Sequence, residues 1–215
     1  SSAASDVYKR QYKVNNMIYI SSGGAIYGCS DEPLHEEDHI TPVSFYGWLK
    51  EVSERYLSFV ARTETNFKYI IIRPSNVYGR YQKINRIIGV ALKNALIGEP
   101  VNIYGNLNIC KDYIHVNDLT ESIDELITEG QWNEIYNLGT GKGTSLLDIF
   151  QCVEQVTGKQ VIYHLHEKKT GDVPFNVLDN SKLISVTGKK SFLSIEEGVA
   201  DMHQYVKNLL VKSDM

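Results

Sequence analysis

At 215 residues with 42% hydrophobic content, the chain is long enough to bury one large core or two smaller ones. A formal net charge of −4 offers no basic field for nucleic acid, and no apolar run approaches the roughly 20 residues of a membrane-spanning helix. Three widely spaced cysteines, Cys29, Cys110 and Cys152, argue against a disulfide framework, and six histidines without ligand spacing argue against a metal site, so a cytoplasmic small-molecule protein is expected.

The first eleven residues, SSAASDVYKRQ, carry neither apolar periodicity nor the basic flank and apolar core of a signal peptide. One codon choice for them matches a transposase-type sequencing adapter read in frame, so residues 1–11 are expected to be adapter, with the protein entering at about Tyr12. From Met17, MIYISS reads as a strand. Leu49, Val52, Tyr56 and Phe59 then recur at helical spacing, and FKYIIIRPS returns as a buried strand rich in isoleucine. Residues 84–98 predict a helix, VNIY a short strand and NICKDYIHV a longer one. Leu119, Ile123, Leu126 and Ile127 mark another helix, EIYNLG a strand, and Leu146, Ile149, Phe150 and Val153 a helix closed by Gly158. Ser194 and Glu197 form a capping-box pair ahead of Ile195, Val199, Met202 and Val206, which predicts a last helix to about Leu210. The alternation is that of a parallel sheet covered by helices.

In SFYGWLK, Tyr46 and Lys50 stand four apart and share one helix face. An ammonium beside a phenol favours phenolate, which can take a proton from a hydroxyl as a general base. SSGGAIYG at the end of the first strand and RPSNVYG after the second also lie at strand carboxyl ends, where open parallel sheets bind ligands.

Together YISSGGAIYG, PVSFYGWLK, RPSNVYG, KDYIHVNDL, YNLGTGKGTS and KTGDV resemble, in order and spacing, successive motifs of the extended short-chain dehydrogenase/reductase family, in its nucleotide-sugar epimerase and dehydratase branch. The resemblance implies an α/β fold: the C-terminal part of a Rossmann-type doubly wound parallel sheet plus a smaller α/β substrate-binding domain. It places residues 12–79 with about 113–132 in the NAD-binding domain and about 80–112 and 133–212 in the substrate domain. Family members begin with a strand and a G-x-x-G-x-x-G turn that holds the cofactor pyrophosphate; no such turn occurs here, so an N-terminally truncated chain, inactive as written, is expected.

By the same resemblance Tyr46 is the catalytic acid/base, and Lys50 assists it and binds the nicotinamide ribose. The usual third hydroxyl falls at Gly23, a departure that leaves Ser22, Ser21, a water or the tyrosine alone to serve. Ser21 is expected near the cofactor, and Arg73 and Pro74 where the backbone approaches the nicotinamide. Asn76, Lys111, Lys169 and Asp172 are expected on the substrate, with both lysines standing where relatives carry arginine. Gly24 and Ala25 occupy the positions where dehydrating relatives hold an Asp-Glu pair, which favours C4 epimerisation of a UDP-hexose through a 4-keto sugar. A 4,6-dehydratase, a reductase and a non-catalytic nucleotide-binding module are the alternatives. NAD, a nucleotide-sugar substrate and a homodimer are implied, with no nucleic acid, membrane or metal.

Overall fold

The computed structural model describes residues 15–167 and 173–213. Residues 1–11, and the predicted substrate residues Lys169 and Asp172, lie outside that range.

The alternating pattern folds as a parallel sheet. Strands β1 (Asn16–Ile20), β2 (Lys68–Pro74) and β6 (Glu134–Leu138) pair in the order β1-β2-β6, with Ile20 opposite Ile72 and Ile72 opposite Tyr136. β2 is central, which explains its isoleucine run: Ile70, Ile71 and Ile72 are all fully buried. Its side chains alternate between faces. Ile70 and Ile72 join a cluster with Leu119, Leu126, Tyr136 and Leu183, beneath helices α4 (Val116–Thr128) and α6 (Ser181–Thr187). Tyr69 and Ile71 pack on the other face with Leu57 and Val60 of helix α2 (Phe45–Thr63).

The second core lies between helices α3 (Ile87–Ile97), α5 (Leu146–Thr157) and α7 (Ile195–Ser213), around Ile88, Leu92, Ile149, Val153, Met202 and Val206. Beside it run β5 (Cys110–His115), paired in parallel with β3 (Asn76–Tyr78) and β9 (Phe175–Asn176) and antiparallel with β7 (Gly143–Ser145). A separate parallel pair joins β4 (Val101–Tyr104) to β8 (Tyr163–His166). The expected capping box forms between Ser194 and Glu197 on α7, and a second one, Ser145 with Asp148, opens α5. No helix of the described residues is long and apolar enough to cross a membrane.

One expectation is corrected. EIYNL, assigned by sequence to the substrate unit, is β6 of the first sheet, because Tyr136 and Leu138 complete the core beside Ile72. The periodic residues of α2 mark the helix and lie on its outer face: Leu49, Val52, Tyr56 and Phe59 are 40–55% exposed, whereas Glu54, Leu57 and Val60 are buried. Periodicity reveals a helix; with apolar residues on both faces it does not say which one the sheet covers.

Candidate active site

At the carboxyl ends of β1 and β2 a cleft of about 990 Å³ opens toward the second core. Its first wall is the turn after β1. Ser21 is buried and its backbone N–H donates to Ile72 O at 2.7 Å, continuing the parallel ladder for one residue. Ser22 then caps the single turn α1 (Gly23–Ile26) with extended backbone, and its hydroxyl makes no capping bond. Both serines line the cleft, as do Gly24 and Ala25. Gly23 does not: a Cβ there would lie 2.6 Å from Leu178 Cδ1 and 3.2 Å from Arg73 O. The departure at position 23 therefore has a packing cause, and Ser22 is the adjacent hydroxyl on the cleft side.

Helix α2 closes on this turn. A Cβ at Gly47 would lie 2.2 Å from Ala25 O, so only glycine permits the approach that brings Tyr46 to the cleft. Ser44 caps the helix, accepting from the Gly47 N–H at 3.1 Å. One turn along, Lys50 Nζ donates to Ile20 O at 2.7 Å and lies 5.6 Å from the Tyr46 ring centre and 4.9 Å from that of Tyr19.

The second wall comes from Pro74, Ser75 and Asn76 after β2. Asn76 Nδ2 donates to Asp112 O at 2.9 Å, joining this strand end to β5, where Lys111 also lines the cleft. Asp112 is fully buried. Burial holds its carboxyl above the usual range, against the bonds it accepts from Thr140 N and Oγ1, Gly141 N and Leu178 N. One carboxylate thus ties KDYIHV to the YNLGTG turn and to the segment after β9.

The side chain of Arg73 turns away from the cleft into the core, where Nη2 donates to Glu54 Oε2 at 2.7 Å, Nε lies 3.2 Å from both Glu54 oxygens, and Nη1 donates to Tyr27 Oη and Glu36 O. Tyr27 Oη donates on to Asn137 Oδ1, and burial pushes the phenol up to about 12. Arg73 therefore makes no side-chain contact to the cleft, because alternate residues of a strand face opposite ways.

Six predicted residues, Ser21, Ser22, Tyr46, Pro74, Asn76 and Lys111, meet in this one cleft, with Lys50 reaching its edge through Ile20 O. The sequence reading missed Gln82, Asn85 and Arg86 before α3 and Asn102 and Tyr104 on β4, which line the opposite side. The signals for them were the helix start near residue 84 and the short strand VNIY. His166 stacks on Tyr104 at 5.1 Å and its Nε2 lies 2.8 Å from Asn102 Oδ1. No group of three or more histidine, cysteine, aspartate or glutamate side chains among the described residues could hold a metal ion.

A parallel sheet covered by helices, with a cleft at the carboxyl ends of its strands, is the architecture of the Rossmann-type fold. Residues 6–139 match the model of the NAD dependent epimerase/dehydratase family, and the chain belongs to that family. It is 31% identical over 203 residues to a putative UDP-glucose 4-epimerase of Methanocaldococcus jannaschii, covering 93% of this chain and 65% of the relative. It is 30% identical over 187 residues to dTDP-4-dehydro-6-deoxyglucose reductase of Escherichia coli, covering 85% of this chain and 58% of that protein. Among solved structures, the UDP-glucose 4-epimerase of Thermotoga maritima with UDP-glucose superposes with a TM-score of 0.84 at 32% identity, over 94% of this chain and 66% of that one. The chain thus spans about three-fifths of the length of the curated relatives it matches.

Proposed function

We propose that this chain supplies the substrate cleft and the proton-transfer pair of an NAD-dependent nucleotide-sugar epimerase, acting at C4 of a UDP-hexose through a 4-keto sugar. The observation that carries the reading is Tyr46 facing the same cleft as Ser22 and Asn76, with Lys50 one turn behind it, while Gly24 and Ala25 beside them bring no carboxylate. The residues present suit the nicotinamide end of NAD. Lys50 has three N–H donors and Ile20 O takes one, leaving two for ribose hydroxyls, and Pro74 borders the same space. Bound NAD supplies the acceptor and donor for the hydride of C4.

Tyr46 takes the C4 hydroxyl proton as the general base, with Lys50 Nζ 5.6 Å from its ring centre. Ser22 donates to the same oxygen. Asn76, with Nδ2 already on Asp112 O, offers Oδ1 to a substrate hydroxyl. When the 4-keto sugar presents its other face, Tyr46 returns the proton and the epimer leaves. Elimination across C5 and C6 needs a further acid, and Gly24 and Ala25 supply none. The likeness to the Escherichia coli reductase favours a second reading, net reduction of a 4-keto sugar.

Phe45, Trp48, Leu49, Val52, Tyr56 and Phe59 form an exposed apolar stripe along α2, which supports a homodimer through this helix, and three unpaired cysteines suit the cytoplasm. The protein expressed from the whole gene, given NAD with UDP-glucose, UDP-N-acetylglucosamine or their galacto isomers, should interconvert one C4 pair without net reduction of NAD. Tyr46→Phe should cut turnover by at least about 10²-fold while sugar-nucleotide affinity holds. A 4-keto-6-deoxy product would transfer the assignment to dehydratase, stoichiometric consumption of NADPH to reductase, and full activity of Tyr46→Phe would remove Tyr46 from its role.

A further inference from the structure

Tyr27 follows the turn α1, is 2% exposed, and lies outside the residues that line the cleft. Its Oη sits between Arg73 Nη1 and Asn137 Oδ1, each 2.7 Å away. The direction of these bonds is fixed. A guanidinium has donors only, so Oη accepts from Arg73 and spends its own proton on Asn137. Burial pushes the phenol up to about 12, so that proton stays in place at neutral pH. With Oδ1 taken, Asn137 donates through Nδ2 to Leu34 O at 2.8 Å, and its backbone N–H donates to Glu36 Oε1 at 2.7 Å.

Each partner in this network belongs to an element that carries a cleft residue. Arg73 adjoins Pro74 on β2, and Glu54, which holds Arg73 Nη2, stands two helical turns after Tyr46 on α2. Tyr27 itself ends the turn that bears Ser22. That turn has little hold of its own: it is four residues long, Ser22 makes no side-chain capping bond, and the N–H groups of Ala25 and Ile26 reach Ser22 O only at 3.3 Å. Its anchors are tertiary. Thr41 Oγ1 donates to Tyr27 O at 2.6 Å and Thr41 N–H to Ile26 O at 3.0 Å, just ahead of the Ser44 cap of α2. The turn therefore cannot shift against α2 without straining a bond to Tyr27.

We infer that Tyr27 is a positioning residue whose hydroxyl holds the Ser22 turn at its distance from Tyr46, so that both hydroxyls can meet one substrate oxygen. This rests on the nucleotide-sugar reading above. Because Tyr27 does not line the cleft, its effect belongs to turnover and not to affinity for the sugar nucleotide, and a misplacement of about 1 Å costs on the order of 10²-fold in rate. Phenylalanine at this position keeps the ring packed with Ile26, Leu34 and Leu178 and removes the hydroxyl alone.

The test compares Tyr27→Phe, Ser22→Ala and the double variant of the protein expressed from the whole gene, by steady-state kinetics well below the unfolding midpoint and by amide hydrogen exchange. Tyr27→Phe should lower kcat about 10- to 100-fold with KM within about twofold, a split that lost stability alone does not produce in molecules that remain folded. If the hydroxyl acts through Ser22, adding Tyr27→Phe to Ser22→Ala should cost less than about threefold more. Exchange of the amides of residues 22–28 should rise at least about tenfold, while that of helix 87–97 holds. An unchanged kcat in Tyr27→Phe would overturn the assignment, as would losses that multiply in the double variant. A wild-type protein that turns over no nucleotide sugar would sink the nucleotide-sugar reading instead, and exchange then decides: faster exchange at 22–28 in Tyr27→Phe keeps the positioning role, and unchanged exchange overturns it.

Discussion

Removing Glu54 should destabilise the chain more than any other single change on α2. Glu54 and Arg73 are 3% and 2% exposed, and the carboxylate receives every bond from Arg73 Nε and Nη2. In Glu54→Ala the guanidinium stays buried with only Nη1 partnered, on Tyr27 Oη and Glu36 O. Breaking a buried pair from one side costs about 3–5 kcal/mol, roughly a fifth or more of the stability of a typical domain. With a urea slope of about 2–3 kcal/mol per molar, the midpoint should fall by about 1–2.5 M. The pair as a whole is worth far less than either half, because its Coulomb gain is offset by desolvation. Glu54→Leu with Arg73→Met should therefore regain most of the loss, since Tyr27 Oη keeps its bond to Asn137 Oδ1 at 2.7 Å. Urea unfolding of Glu54→Leu, Arg73→Met and the double, followed by circular dichroism, gives the coupling energy directly. A loss under about 1 kcal/mol for Glu54→Ala, or a double variant no better than the sum of the singles, would refute the reasoning.

Asp112→Asn should cost about 1–3 kcal/mol in the same assay, because its amide N–H groups would face the donors of Gly141 and Leu178; a neutral result would mean the carboxyl is protonated at neutral pH and not the acceptor drawn above. Gly47→Ala should lower the midpoint and weaken UDP binding together, since a Cβ cannot sit 2.2 Å from Ala25 O without moving α2 and Tyr46; unchanged values for both would show that the helix has slack. Bonds from the Ser145 hydroxyl and N–H hold the Asp148 carboxyl below its usual range, so its stabilising effect is present above the unfolded value of about 3.9 and lost as pH falls through the folded one. Asp148→Asn should thus be less stable than wild type at pH 7 and converge on it toward pH 2–3, and a difference that ignores pH would assign the cap to something other than charge.

What the sequence made legible was local. Strand-end strings such as SSGGAIYG and RPSNVYG announce a ligand crevice because backbone turns and small residues are read within a few positions, and Ser22, Tyr46 and Asn76 do meet there. What stayed hidden depends on partners far along the chain. The glycine at position 23 answers to Leu178, Arg73 to Glu54 and Tyr27, and β6 to β2, and no window of ten residues contains either half of those pairs with the other. Arg86 belongs to no motif; it joins the cleft only through a wall built by α3 and β4. Helix α2 shows the two kinds of information on one element. Tyr46, Lys50 and Glu54 repeat every fourth residue and dock successively on the cleft, on Ile20 O and on Arg73, so the helix is held near the site by polar contacts, with apolar ones further along at Leu57, Val60 and Ala61. A polar inner face answered by polar groups on the sheet is why the more regular apolar stripe points outward, and why the same row of residues both carries the proposed chemistry and fixes where it happens.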